Sequence, residues 1–364
     1  MRRTGSRARV STADPGAAPS VVEHSPVPER TATRYRTRTL QIIALLGLLV
    51  LSATLSLCIG AKPIPLDAVW HALLTPTGLE DDMIIRDLRV PRTVIGALVG
   101  AALGLAGALT QGHTRNPIAD PGILGITHGA GLAIVLATFS LGITDLHSFI
   151  WFGFAGAALG AVIVFAVGSA GKGGPTPLTL VLAGAAISAL LQAITFAVVL
   201  LDQRSLDAFR FWKVGSIAVA GMPLVVQVLP FLVIGLALGL AGASGLNALA
   251  LGEDVARSLG HSVERVRILG ITAITILVGA SVAVCGPIGF VGLLVPHAVR
   301  LVTGPDHRWL LPFSALAGSI LVLLTDTVGR IVARPGEIEV GVMLALIGAP
   351  FFVVLVRRRK LVRL

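Results

Sequence analysis

Charged side chains are scarce in this sequence. They make up 13% of its 364 residues, about half the share found in soluble globular domains. Five long stretches contain none at all: 39–61, 173–201, 214–251, 309–325 and 340–356. An uncharged apolar stretch of about 20 residues is long enough to cross the hydrocarbon core of a bilayer. A soluble fold is excluded, because this many segments would offer water no polar face.

Cysteine is also rare, and motifs of catalysis are missing. Cys58 and Cys285 both lie in apolar stretches, which argues against a disulfide or a metal site. No His-Glu-x-x-His or Gly-x-Ser-x-Gly motif is present, which argues against an intramembrane enzyme. The segment 171–173, Gly-Lys-Gly, lacks the first glycine and the final Ser or Thr of a phosphate-binding loop. We therefore expect no metal, no cofactor and an energy source in a partner protein.

Positive charge is concentrated at the two ends of the chain. The net charge is +10, and most of the excess lies in residues 1–38 and 357–364. Basic flanks of this kind are typical of cytoplasmic termini of membrane proteins, so we do not expect nucleic-acid binding. The sequence predicts a disordered basic cytoplasmic tail over 1–38, a transmembrane domain over 39–357 and a second basic tail over 358–364.

The apolar stretches predict an all-α integral membrane protein with about ten spans. We place them at 40–60, 93–111, 119–138, 148–168, 177–201, 224–242, 268–286, 288–302, 310–328 and 341–357. An even number of spans puts both termini on one side. That side carries 20 of the 29 Lys and Arg residues and only 8 of the 19 acids. The excess predicts that both termini are cytoplasmic, in a multi-pass protein of the inner membrane.

Two segments of the chain resemble each other. Residues 98–107 and 277–286 share five identities in ten at an offset of 179, and the same offset pairs Pro117 with Pro296. The second span runs inward and the seventh outward in the predicted topology, so the copies form an inverted repeat. Inverted repeats are typical of transporters, where exchange between the two halves gives alternating access. Chance similarity between Gly/Ala/Leu-rich helices is the alternative.

Several motifs are more distinctive than the spans that contain them. They are Leu-Arg-Val-Pro-Arg at 88–92, Gln-Gly-His-Thr-Arg-Asn-Pro-Ile-Ala-Asp-Pro-Gly-Ile-Leu-Gly at 111–125, Gly-Glu-Asp-Val-Ala-Arg-Ser-Leu-Gly at 252–260, Gly-Pro-Ile-Gly-Phe-Val-Gly-Leu-Leu-Val-Pro-His-Ala-Val-Arg at 286–300, Asp-Thr-Val-Gly-Arg at 326–330 and Gly-Ala-Pro-Phe-Phe at 348–352. In this order and spacing they resemble the FecCD-type permeases, the membrane subunits of ABC importers for ferric siderophores, haem and cobalamin. The resemblance covers about residues 40–357.

This resemblance implies the type II ABC importer permease fold and a set of partners. They are ABC ATPase subunits, an extracytoplasmic substrate-binding protein and a second permease, identical or paralogous, in membrane lipid. It also implies a pathway between the two permeases, lined by apolar and small residues. A ferric siderophore is the expected substrate, with cobalamin or haem as alternatives. An ion-coupled secondary transporter is disfavoured, because the spans contain almost no buried carboxylate or histidine pair.

Four arginines fall on the predicted outer face, against the positive-inside bias. In the family, the positions matching Arg89, Arg92 and Arg330 meet acidic residues of the binding protein, and we add Arg334 as a candidate. The planar guanidinium grips a carboxylate through two hydrogen bonds. The alternatives are lipid phosphates or pairing within the chain with Asp87, Asp326 or Glu337.

A short amphipathic segment lies in the predicted cytoplasmic loop 243–267. The resemblance implies that it is the coupling helix that docks on the ATPase, formed by Glu253, Asp254, Val255, Ala256, Arg257, Ser258, Leu259 and Gly260. Val255, Ala256 and Leu259 can share one face, with Leu259 as the anchor and Ala256 allowing close approach. The alternative is a helix lying on the bilayer. The loop has three basic and three acidic residues, which favours docking.

Two dipeptides are predicted to break helices, Asn116-Pro117 and Pro296-His297. Broken helices occur within membranes only inside protein or along a wet cavity. Asn116 is expected to satisfy exposed backbone, with pathway lining as the alternative. For His297 we favour a hydrogen-bonded structural role over a proton relay.

Overall fold

A computed structural model of the chain describes residues 30–170, 176–218 and 221–357, and in these residues every regular element is helical. The helices are α1 (Arg30–Cys58), α2 (Leu66–Leu74), α3 (Glu80–Met83) with a π-helical continuation (Ile84–Arg89), α4 (Val90–Thr114), a 3-10 turn (Pro121–Leu124), α5 (Ile126–Leu141), α6 (Leu146–Ser169), α7 (Pro177–Leu201), α8 (Gln203–Val214), α9 (Met222–Ala241), α10 (Ala243–Ala250), α11 (Glu253–Ser258), α12 (Val263–Cys285), α13 (Val291–Thr303), α14 (His307–Val332) and α15 (Val340–Arg357).

The predicted spans are confirmed. Seven described helices are long and apolar enough to cross a membrane, and three shorter apolar helices accompany them: α5, α13 and α15. Each of the ten overlaps one predicted span. The third span differs most, because Pro121–Leu124 forms a separate turn and α5 begins only after Gly125, which has a φ of 74°.

The ends of the chain differ from the prediction in one respect. Of the described residues, 30–40 belong to one compact unit and those from 41 to 357 to another. In the first unit α1 begins at Arg30, so residues 30–38 of the predicted tail lie in a helix. Those residues contain no Pro or Gly to stop a helix. The rest of that tail, the Gly-Lys-Gly segment and the tail 358–364 lie outside the described residues, and their predictions remain untested.

Helices α4 and α14 form the centre of the second unit, packed with almost no side chain between them. A Cβ atom on Gly104 would collide with the carbonyl of Ser314, and one on Gly100 or Gly318 would collide with the backbone opposite. Small residues let helix backbones approach closely in lipid, where packing rather than water drives association. The glycine-rich composition is therefore used to bring α4 and α14 together.

The two copies of the predicted repeat lie in helices that run in opposite directions. His113, near the end of α4, lies within hydrogen-bonding distance of the carbonyl of Val266, near the start of α12 (3.2 Å). Helix α12 is therefore antiparallel to α4, as the inverted repeat requires. The structural equivalence of the two copies beyond this direction stays a prediction.

The break that the sequence places at Pro296-His297 is wrong. Helix α13 continues through Pro296 to Thr303. The chain breaks earlier, between Cys285 and Val291, where Gly286 and Phe290 have φ values of 70° and 67°. Pro296 has no amide proton to donate to the carbonyl of Gly292, four residues earlier in the helix, and that carbonyl accepts a hydrogen bond from the Gln111 side chain instead, at 3.3 Å. The other predicted break is confirmed, since α4 ends at Thr114, two residues before Asn116.

Candidate functional site

Arg92 is the centre of a buried ion-pair network at the start of α4. Its Nε and Nη2 donate to the two carboxylate oxygens of Asp326 on α14, at 3.0 and 2.8 Å. Its Nη1 donates to Glu337 at 2.6 Å. Arg330, one turn after Asp326, pairs with the same carboxylate at 3.1 Å. We call Arg89, Arg92, Asp326, Arg330 and Glu337 the arginine network.

The same network holds the end of α1. Arg330 donates to the carbonyls of Ser56 and Ile59 at 3.0 and 2.8 Å, and Arg89 donates to those of Leu57 and Lys62. The last carbonyls of a helix have no intrahelical partner and carry partial negative charge. Cationic donors therefore suit this position. The arginines fasten α1 to α4 and α14.

Burial separates the four predicted docking arginines into two groups. Arg89, Arg92 and Arg330 are 6%, 8% and 2% exposed, whereas Arg334 is exposed and donates a single hydrogen bond, to the carbonyl of Gly60 at 2.9 Å. The pairing with Asp326 and Glu337 that the sequence left open is present. Docking through the three buried arginines stays a prediction, and it requires them to exchange partners. No sequence pattern indicated the bonds to α1, which join residues up to 274 positions apart.

The predicted coupling segment forms a short helix, α11, between two glycines. Gly252 and Gly260 have φ values of 115° and 83°, in the region that favours glycine. Arg257 pairs with Glu253 and Asp254 at 3.2 and 3.1 Å on its exposed side. These two glycines let the chain turn sharply just before the helix begins and just after it ends.

The apolar side chains of this segment do not share one face. Val255 and Leu259, one turn apart, are 42% and 60% exposed, so the predicted anchor Leu259 is accessible to a partner, and Val255 is accessible beside it. Ala256 is fully buried and packs with Ala248, Leu249 and Val263 of its own chain. The expectation that Ala256 lets the ATPase approach is therefore wrong. Its small side chain instead lets α11 pack against α10 and α12.

Helix α11 lies at the end of the bundle opposite the arginine network. Helix α4 has 25 residues, a length of about 37 Å, and Arg92 lies near its start. At its other end, the Arg115 side chain donates to the carbonyl of Leu249 in α10, the helix before α11, at 2.7 Å. A signal between the two candidate surfaces would therefore cross the whole length of the bundle.

Asn116 and Pro117 lie in the turn after α4. Arg115 has a φ of 48°, and the Asn116 side chain accepts a hydrogen bond from the amide of Ile118 at 3.1 Å. Asn116 thus satisfies a backbone group that the break exposes, as expected. His297 is buried, but its Nδ1 has no hydrogen-bond partner in the part of the chain that the structure describes. The hydrogen-bonded role that we favoured is not seen at this nitrogen.

Sequence reasoning missed a fourth buried arginine, Arg300 on α13. It is 2% exposed, and its Nη1 donates to the Gln111 side chain at 3.3 Å. Gln111 in turn donates to the carbonyl of Gly292 at 3.3 Å. These bonds link α4 with α13. The available signal was an arginine inside a predicted span, 288–302, which is unusual in lipid.

A cavity of about 720 Å³ lies beside α8, a helix that the apolar pattern did not predict. Its wall includes three aromatic and three charged side chains: Phe149, Phe211, Trp212, Arg204, Asp207 and Glu339. The lining is mainly apolar all the same, as is expected of a pathway. The predicted pathway lies between two permeases, so this cavity within one chain does not test it.

Ten apolar helices in the described residues, with charge mostly at their ends and in the segments between them, define a polytopic membrane protein. The chain belongs to the FecCD transport family, whose family model matches residues 48–358. It is 44% identical over 324 residues to the ferric enterobactin transport system permease protein FepD of Escherichia coli (strain K12), covering 89% of this chain and 96% of that protein. It is 41% identical over 309 residues to the cobalamin import system permease protein BtuC of Halobacterium salinarum, covering 83% and 81%.

A solved structure supports the same assignment. The chain resembles a metal-chelate type ABC transporter in an inward-facing conformation, with a TM-score of 0.76, 31% identity and coverage of 87% of this chain and 98% of that one. The resemblance inferred from the sequence motifs is confirmed. Members of this family are multi-pass inner-membrane permeases of ABC importers, not enzymes, and they work with ATPase and binding-protein partners.

Proposed function

We propose that this protein is the permease subunit of a binding-protein-dependent ABC importer that carries a ferric siderophore across the inner membrane. The observation that carries the substrate class is the 44% identity, over nearly the whole chain, to a ferric enterobactin permease. Cobalamin is the second candidate, favoured by the 41% identity to a cobalamin permease. Haem remains a third, from the family resemblance.

We assign to α11 and the residue that follows it the contact that transmits the motion of the ATPase subunit to the helix bundle. Val255 and Leu259 are apolar and exposed, and the ion pairs of Arg257 lie next to them. An exposed apolar pair with a polar rim resembles the centre of a protein interface. A membrane-surface helix would carry an excess of basic residues, whereas Glu253 and Asp254 offset Arg257 here. Docking on an ATPase subunit therefore agrees better with the chemistry of this segment.

We place the docking site of the binding protein at the end of the bundle that contains the arginine network. The network contains three arginines and two carboxylates, and Arg334 lies exposed beside it. The excess positive charge attracts an acidic protein surface and speeds encounter. This assignment puts the binding protein outside and the ATPase inside, with both chain termini cytoplasmic.

A secondary transporter does not suit the buried charges. Coupling to an ion requires a carboxylate that can bind and release it. Asp326 is buried, but both of its oxygens are already bonded to Arg92 and Arg330. We therefore propose a second permease subunit, identical or paralogous, with the substrate pathway between the two and the selection of substrate left mainly to the binding protein.

The test is uptake of labelled compounds by a deletion strain complemented with this gene. ⁵⁵Fe-labelled catecholate and hydroxamate chelates, labelled cobalamin and labelled haem are compared, with and without the native binding protein. We expect uptake of one ferric siderophore that requires the binding protein and ATP. Uptake of cobalamin or haem alone would show that this compound, and not a ferric siderophore, is the substrate. Uptake that follows the proton gradient and survives deletion of the ATPase would overturn the importer assignment.

A further inference from the structure

Arg92 forms ion pairs with two carboxylates that differ in burial and in the number of bonds they receive. Asp326 is fully buried and receives bonds from both Arg92 and Arg330. The side chain of Glu337 is 33% exposed, and its one described bond is that to Arg92 Nη1, at 2.6 Å. Asp326 is thus held inside the protein, whereas Glu337 reaches Arg92 from the surface.

The two carboxylates also differ in the segments that carry them. Asp326 lies inside α14, whereas Glu337 lies in the connection 333–339 between α14 and α15. Most of this connection is exposed, including Arg334 and Gly336. Glu337 can therefore leave Arg92 without breaking a helix. A shift of the connection would reach α15 directly, because α15 begins at Val340.

The charges of the arginine network leave room for a further carboxylate. Three buried guanidinium groups face two carboxylates, and the Nε of Arg330 has no hydrogen-bond partner among the described residues. Loss of Asp326 would leave a buried guanidinium without its main partner, which is costly. When Glu337 dissociates from Arg92, its carboxylate is hydrated by water. The edge of the Arg92 guanidinium group that Glu337 occupied then becomes exposed. That edge suits a carboxylate from another protein.

We propose that Glu337 occupies, from within the chain, the place on Arg92 that a carboxylate of the docked substrate-binding protein takes. The inference rests on the proposed function, because it needs a binding protein that docks at this end. Its partner is an acidic side chain on that protein. Docking exchanges one carboxylate for another on Arg92, so the guanidinium is never left unpaired. The exchange frees the connection 333–339 and alters the start of α15.

The first test measures docking of the native binding protein on the full permease–ATPase complex in lipid nanodiscs. Glu337→Gln keeps the shape of the side chain and removes its charge. Asp87→Asn is the matched control, because Asp87 is an exposed carboxylate on the π-helical turn that begins the same region. We expect Glu337→Gln to tighten docking about two- to five-fold, the range for one partly exposed ion pair, and Asp87→Asn to change it less.

Two results would overturn the exchange while leaving the proposed function intact. One is docking of the Glu337→Gln complex that is equal to or weaker than that of the wild type. The other is equal tightening by Asp87→Asn, which would show that only the overall charge matters. Failure of the wild-type complex to bind any exported binding protein would instead refute the proposed function itself.

A second measurement covers the case in which Glu337→Gln fails to fold. A nitroxide label on Gly336→Cys, in a background with both native cysteines replaced, reports the mobility of the connection in a chain that keeps Glu337. We expect the label to become more mobile when the binding protein docks. An unchanged spectrum at saturating binding protein would contradict the release of Glu337.

Discussion

At the start of α4 the charged side chains are buried and bonded to their own chain, whereas around α11 they lie in water beside two exposed apolar side chains. Arg92, Asp326 and Arg330 are each less than 10% exposed. Val255 and Leu259 are both more than 40% exposed. The charged groups of the first region are bonded mainly within the chain. The second leaves apolar surface uncovered.

This difference shows how each region can respond to a partner. A buried ion-pair network is stable only while every group keeps a partner, so a protein that docks there must replace bonds rather than add them. Exposed apolar side chains gain from simple burial. We therefore expect substitutions of the buried members of the arginine network to act mainly on folding, and substitutions at Val255 or Leu259 to act on association.

The largest expected effect is that of Asp326→Asn. Removing one charge from a buried pair costs about 3–5 kcal/mol, because Arg92 and Arg330 lose their common partner. We expect a clear fall in the thermal unfolding temperature of the purified complex in detergent. Glu337→Gln is the control, since its carboxylate is partly exposed, and it should lower the unfolding temperature much less. Equal falls would contradict the distinction between the two carboxylates.

Leu259→Asp should have the next largest effect, and it should act on assembly alone. A charge without a partner in a dry interface costs several kcal/mol, whereas at the exposed site of the free permease it costs little. We expect normal membrane abundance with loss of ATPase co-purification.

Ser258→Asp adds the same charge at the neighbouring exposed position and serves as the control. It should retain most of the ATPase. Full recovery of the ATPase with Leu259→Asp, together with normal transport, would remove α11 from the coupling mechanism.

A smaller effect is expected from Ala256→Leu. Extra methylene groups in a packed core cost about 1–3 kcal/mol, and Ala256 has no free space among Ala248, Leu249 and Val263. The helix should shift and weaken ATPase stimulation by loaded binding protein. Val255→Leu, at the exposed neighbour, should leave the unfolding temperature unchanged. An Ala256→Leu protein with normal stability would contradict the buried placement.

The sequence predicted the spans better than the contacts at their ends. Runs without charge located all ten apolar helices, but α8 escaped because Arg204, Asp207 and Arg210 interrupt its apolar pattern. The arginines stood out because outer basic residues are unusual. Their partners in α1 could not be predicted, because they are backbone carbonyl groups, which every residue has. For α11, the pattern allowed Ala256 on the same face as Leu259, because a helix of six residues is too short for periodicity to separate its two sides.

Arg334 is the cleanest probe of docking at the arginine network. Charge reversal of Arg89 and Arg92 would also break buried bonds, so weaker docking of that variant could reflect local unfolding. Arg334 is exposed, and its described bond goes to a single carbonyl. Arg334→Glu should therefore leave the unfolding temperature unchanged. It should weaken docking by about 0.2–1 kcal/mol, the range for an exposed pair.

Ionic strength separates a direct contact of Arg334 from a general field. Arg86→Glu reverses another exposed charge in the same region and serves as the control. Field effects are screened over about 8–10 Å at physiological salt, so the effect of Arg86→Glu should vanish first as salt is raised. A larger and more persistent loss of docking with Arg334→Glu would place this side chain in the contact. Identical salt dependence for both variants would mean that the region attracts the binding protein only through its net charge.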